Sequence, residues 1–108
     1  MFLKSFCEWT KNFTEFKIYN NTIINITSGI GTYKASKPSF CTIILIPNGT
    51  NACAASVVSE EYGSRIAYLL SEKGANVSNS FFLNKGDTIT VTANAEFSRI
   101  RVIATSFV

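Results

Sequence analysis

Between Thr88 and Asn94 the chain alternates without a break. Thr88, Thr90, Thr92 and Asn94 fall on one side, Ile89, Val91 and Ala93 on the other. Strict period-two alternation built on β-branched residues specifies a half-buried strand, because one face packs while the other meets water. An apolar run, Phe81-Phe82-Leu83, precedes it, and Lys85-Gly86-Asp87 lies between. Gly86 supplies the positive φ that a tight hairpin reversal needs. A further apolar run begins at Phe97, after Asn94-Ala95-Glu96, three polar or small residues suited to a second hairpin loop.

The same rhythm extends backwards through the chain. A strand is expected over residues 22–27, ended by Ser28-Gly29, and a short one over 32–35, stopped by Pro38, which cannot donate to a ladder. Residues 40–46 form the strongest apolar run, closed by the turn signal Pro47-Asn48-Gly49. Runs over 52–59, 65–70, 81–83, 88–94 and 97–104 follow. The stretch 52–70 also admits a helix through Ala54, Val57, Val58, Glu61 and Ala67, but Gly63 and the β-branched pair Val57-Val58 weigh for strands. Many short strands separated by turns make an all-β sandwich or barrel.

The first residues obey a different rule. Phe2, Phe6, Trp9, Phe13 and Phe16 are spaced four, three, four, three, which is an a/d seam. Two heptads do not hold a helix alone in water, and Phe, Asn and Thr are mediocre helix formers. Such a seam needs a partner: its own domain, another copy, or a larger particle. Residues 1–18 are therefore read as a stem or anchor and 19–108 as the sandwich.

The 40–46 run is apolar on both sides. Phe40, Ile44 and Ile46 point one way, and Cys41, Ile43 and Leu45 the other. A strand apolar on both faces needs cover on both, whereas a two-sheet sandwich covers one. The second face is covered by a local helix or by another copy of the chain; with another copy, Ile43 and Leu45 are assigned to the subunit-facing side. Ile103 and Phe107 likewise fall opposite Ile100 and Val102.

Composition narrows the chemistry. At 108 residues with 46% apolar and 16% charged content, the chain suits one globular domain. Its formal charge of +3 comes from scattered Lys and Arg, without the concentrated stripe that nucleic-acid binding requires. Cys7, Cys41 and Cys53 have no metal-site spacing and there is no His, so neither a metal centre nor a disulfide framework is expected, though one bridge stays open. Cys41, inside a strand, reads as a small buried hydrophobe. Lys4, Glu8 and Lys11 interrupt any signal-peptide core, and residues 41–47 are too few to span a bilayer. Among carboxylates, Asp87 sits where it would bond turn amides, and Glu60 and Glu61 cannot share one strand face as a glycosidase pair must. Gly29 and Gly31 lack the rest of any phosphate-binding motif. No catalytic residue and no cofactor are expected.

The closing elements, an apolar strand, KGDTITV over 85–91, a turn, and RIRVIA over 99–104, resemble the trimeric jelly-roll knobs of bacteriophage fibres. These are related in shape to C1q and tumour-necrosis-factor modules, and the resemblance spans about residues 33–108. It implies a jelly-roll-like antiparallel β-sandwich and a homotrimer about a three-fold axis. It also implies attachment to other virion proteins through the N-terminal segment, and residence on a virion made in a bacterial cytoplasm. Contacts to a host-surface glycan would then fall on polar loops at Asn48, Asn51, Tyr62, Asn76 and Asn79, with Tyr62 as the aromatic that stacks on a sugar. The alternative is a secreted β-sandwich binding module or toxin, which the interrupted signal core and odd cysteine count disfavour.

Overall fold

Alternating burial runs through the central strands of the computed structural model, which describes residues 19–107. Eight strands form: β1 (Tyr19–Ile26), β2 (Ile30–Lys34), β3 (Ser39–Pro47), β4 (Cys53–Ser59), β5 (Ser64–Ser71), β6 (Val77–Leu83), β7 (Thr88–Ala93) and β8 (Phe97–Phe107). They build two four-stranded antiparallel sheets, sheet A in the order β1-β8-β3-β6 and sheet B in the order β2-β7-β4-β5. This is the jelly-roll arrangement of two interlocked Greek keys. The 52–70 stretch resolves into two strands, β4 and β5, joined by a turn in which Gly63 takes φ 63°. The aromatic seam of Phe2, Phe6, Trp9, Phe13 and Phe16 lies outside the described residues.

Two expected hairpins are not hairpins. β6 belongs to sheet A and β7 to sheet B, so the Lys85-Gly86-Asp87 turn carries the chain from one sheet to the other. Asn94-Ala95-Glu96 does the same between β7 and β8. Gly86 nonetheless has φ 90°, and the turn closes through the Asp87 amide donating to the Asn84 carbonyl at 3.0 Å. Its reversal is anchored across the molecule, with the Gly86 amide donating to Ala35 O at 2.7 Å. Among the described residues, only β4 and β5 are both consecutive and paired. Turn chemistry reports that the chain bends; it does not report which strand receives it.

The core settles which side of β3 faces inward. Cys41, Ile43 and Leu45 are 0% exposed and pack with Val57, Ile89, Val91, Ile100 and Val102 between the sheets. Ile43 and Leu45 are thus core residues, which corrects their assignment to a subunit interface. The cause is the register: Ile43 pairs with Val102 and Leu45 with Ile100, and these β8 residues share the buried face. The outward side of β3 is Phe40, Thr42, Ile44 and Ile46. Full burial of a Leu or Ile side chain contributes about 1.5–3 kcal/mol, so this inner set drives the sandwich closed.

Strand direction gives the sandwich two ends. Tyr19 pairs with Phe107 at one end, where residues 35–38, 60–63 and 84–87 also turn. The opposite end carries the loops 27–29, 48–52, 72–76 and 94–96.

Candidate functional site

The polar loops singled out above do not meet in one place. Asn48, Asn51 and Asn76 are exposed at the end remote from Tyr19. Tyr62, 74% exposed, lies in the β4–β5 turn at the end where Tyr19 and Phe107 pair. Asn79 is not in a loop, because β6 begins at Val77 and Asn79 pairs with Ile43. The strand starts earlier than the apolar residues Phe81 to Leu83 indicate, since an edge strand tolerates polar residues such as Ser78, Asn79 and Ser80.

At the remote end the loops tie to one another by main chain. The Asn48 amide donates to Glu96 O at 3.0 Å and the Asn94 amide to Ala54 O at 3.1 Å. Asn51 Nδ2 reaches Glu96 Oε2 at 3.5 Å. Gly74 has φ 90°, and a Cβ there would lie 2.5 Å from Gly49 O, so the 48–52 and 72–76 loops touch through backbone. These contacts fix the 48–52, 72–76 and 94–96 loops against one another.

At the other end the carboxylates are structural. Glu61 Oε1 accepts from the Thr88 amide at 2.9 Å, and Glu60 Oε1 from Thr90 Oγ1 at 3.1 Å. Asp87 Oδ2 accepts from the Asn84 amide at 2.8 Å. The two glutamates fasten the β4–β5 turn to the start of β7, and Asp87 closes the β6–β7 turn on itself. Among the described residues there is no pocket and no His, Cys, Asp or Glu cluster fit for a metal, and no helix is long and apolar enough to cross a membrane.

The feature that loop reasoning missed is the outer face of sheet A. Register aligns Ile23, Ile103, Thr42 and Ser80 in one row across the four strands. The next row is Asn21, Thr105, Phe40 and Phe82, and on the other side come Asn25, Arg101, Ile44 and Ser78. Arg99 pairs with Ile46 beyond them. Phe82 is 68% and Ile23 59% exposed, and the Phe40 and Phe82 rings stand 6.3 Å apart at a tilt of 55°. Apolar and aromatic side chains thus stand on this outer face interleaved with Asn, Thr and Ser. The signal was present in sequence as outward parity: once Cys41, Ile43 and Leu45 are inward, Phe40, Ile44 and Ile46 cannot be. On sheet B the outward residues of β7 are Thr88, Thr90 and Thr92, and β5 exposes Ile66, Tyr68 and Leu70, with the Arg65 guanidinium 4.7 Å above the Tyr68 ring.

Cys41 and Cys53 are free thiols, both buried. Burial pushes Cys41 up to about 11 from an ordinary 9.0, and raises Cys53 as well, with the Glu96 charge adding to it. Neither is a nucleophile at neutral pH.

No protein-family model matches the sequence, and no curated protein matches it. Solved structures do. The Drosophila nucleoplasmin-like protein core, described in terms of pentamer formation and histone binding, aligns with a TM-score of 0.52 and 11% identity over 83% of this chain and 97% of that one. The globular domain of zebrafish complement 1qA gives 0.52 and 13% over 82% and 94%. A Bacillus endospore-appendage protein, from a family of disulfide-linked pili, gives 0.50 and 16% over 84% and 88%. At these identities the likeness is one of fold: this chain is a jelly-roll-like antiparallel β-sandwich.

Proposed function

We propose that the chain is a non-catalytic display module of a virion fibre or spike, in which copies associate through the outer face of sheet A as a homotrimer. The observation that carries the reading is that face: Ile23, Ile103, Ile44, Ile46, Phe40 and Phe82 project from a sheet whose other side already holds the core. Their exposure leaves apolar area that a partner removes from water at about 25 cal/mol per Å². Occurrence of the fold in the pentamer-forming nucleoplasmin-like core is further support for self-association. The virion assignment and the attachment of residues 1–18 to other virion proteins rest on the resemblance to fibre knobs. In this arrangement the loops bearing Asn48, Asn51 and Asn76 are offered to host-surface glycans.

The test is the mass of the full chain in solution, with Ile103→Glu as the variant. Three times the 11.9 kDa of one copy, reduced to one copy by the substitution with an unchanged circular dichroism spectrum, is the expected result. A wild-type monomer at tens of micromolar overturns it. Gold-labelled antibody decorating particles from the producing cells tests the virion assignment separately. A second reading, a secreted binding module, shares the same loops and is supported by the likeness to a complement 1qA globular domain; recovery of the chain in culture medium free of particles favours it.

A further inference from the structure

Two arginines, Arg99 and Arg101, interrupt the apolar face of sheet A, and Arg101 is the one set among its rows. Arg101 stands on the inner strand β8 with Asn25 beside it on β1, Ile44 on β3 and Ser78 beyond on β6. Arg99 and Ile103 flank it along its own strand. Its Nε is shielded from solvent and has no hydrogen-bond partner among the described residues. An N–H that has lost water and gained no acceptor is unfavourable, more so on a cation. None of the row neighbours is acidic, and Arg99 carries the same sign. Within one copy, Glu60, Glu61 and Asp87 are engaged at the Tyr62 end and Glu96 meets Asn51 at the other. The remaining described carboxylate, Glu72, is exposed just after β5. It directly adjoins the strand that exposes Ile66, Tyr68 and Leu70.

The two surfaces are complementary. One is a guanidinium set among Ile44 and Ile103; the other is a carboxylate beside an apolar strip. They are different patches of the same molecule, so a contact between them is head-to-tail and closes into a ring when the rotation allows. We infer that Arg101 of one copy pairs with Glu72 of the next, an ion pair set within the apolar seam that fixes how neighbouring copies meet. The fork of the guanidinium takes a carboxylate through two parallel hydrogen bonds, which supplies orientation that apolar contacts lack. This inference rests on the self-association proposed above.

Sedimentation velocity on the full chain separates the two claims. The variants are Arg101→Met, which keeps an apolar stem, Arg101→Glu, Glu72→Arg, and the double exchange Arg101→Glu with Glu72→Arg. Circular dichroism melts confirm that each is folded. Each single variant is expected to weaken association at least tenfold, and the double exchange to recover most of it. Wild-type assembly with single variants that associate as well as wild type, or a double exchange no better than the singles, overturns the pair while leaving sheet A self-association standing. A wild-type monomer overturns both.

Discussion

Adjacent residues of β3 give the sharpest test of the architecture. Leu45 is 0% exposed between the sheets, and Ile44, its neighbour, is half-buried on the outer face. Leu45→Glu removes a buried side chain worth about 1.5–3 kcal/mol. The new carboxyl cannot remain charged there without desolvation, so it becomes neutral. Holding a Glu protonated at pH 7 against an ordinary value of about 4.3 costs about 4 kcal/mol. The sum, about 5–7 kcal/mol, reaches the lower part of the roughly 5–15 kcal/mol that a domain has. The folded-state pKa of such a Glu is raised, so the stability it retains is present below about pH 4 and lost as pH rises. Leu45→Glu should therefore be largely unfolded at pH 7 and regain structure towards pH 4, while Leu45→Gln shows no such rescue. Ile44→Glu, facing outward, should cost about 1 kcal/mol or less in the fold and act on association instead. Far-UV circular dichroism melts at both pH values check the first claim and sedimentation the second. A Leu45→Glu protein melting within a few degrees of wild type at pH 7, or an unfolded Ile44→Glu, would refute the inward assignment of Cys41, Ile43 and Leu45.

Gly86→Val should lower stability by at least about 1–2 kcal/mol, because φ 90° is closed to a β-branched residue although nothing stands near its Cβ; Gly86→Asn should be milder, and equal melting temperatures for the two would show that the backbone strain is absent. Glu61→Ala should release the Thr88 amide and cost about 1 kcal/mol, read as a drop of about 4–8 °C in Tm. Cys41 titrates near 9.0 when unfolded and about 11 when folded, so its contribution is intact below pH 9 and lost as pH rises through 11. Tm should accordingly fall across that window, less steeply in Cys41→Ala, and native protein should resist thiol reagents at pH 7 until it unfolds.

Local order was legible where the residues determine it locally. The β7 alternation, the turn at Pro47-Asn48-Gly49 and the positive φ of Gly86 all follow from side-chain sterics, and each strand appears where a run was expected. Pairing was not legible. Lys85-Gly86-Asp87 has the chemistry of a hairpin, yet β6 lies on β3, about 40 positions away, and β7 lies on β2 and β4. In a jelly roll almost every partner is distant in sequence, so local turn signals carry no pairing information. β3 exposes a second limit. Period two separates Phe40, Ile44 and Ile46 from Cys41, Ile43 and Leu45, but both sets are apolar, and only the register with Ile100 and Val102 decides between them. Of the residues singled out, Asn48, Asn51 and Asn76 lie in exposed loops, whereas Asn79 is strand and Tyr62 stands at the opposite end.

That separation bears on how a displayed module of this kind would hold a sugar. Eight strands return the chain to the end where it began, so Tyr19 and Phe107 pair beside the Tyr62 turn. In the proposed arrangement, an anchor preceding β1 would leave Tyr62 on the proximal side, with the loops 27–29, 48–52, 72–76 and 94–96 at the opposite end. Those outward loops contain Asn, Ser, Thr, Glu, Lys, Gly and Ala, and not one aromatic residue. A saccharide there would be bound by amide and hydroxyl hydrogen bonds alone, each worth about 0.5–1.5 kcal/mol net in exchange with water. Single-site affinity would be low. Linked copies convert later contacts into intramolecular ones, and avidity can exceed a single affinity by about 10²–10⁴ without any new contact. On this reasoning assembly through sheet A is a requirement of the proposed binding: a monomeric Ile103→Glu chain should keep its fold and its loops and yet lose retention on glycan-bearing cells.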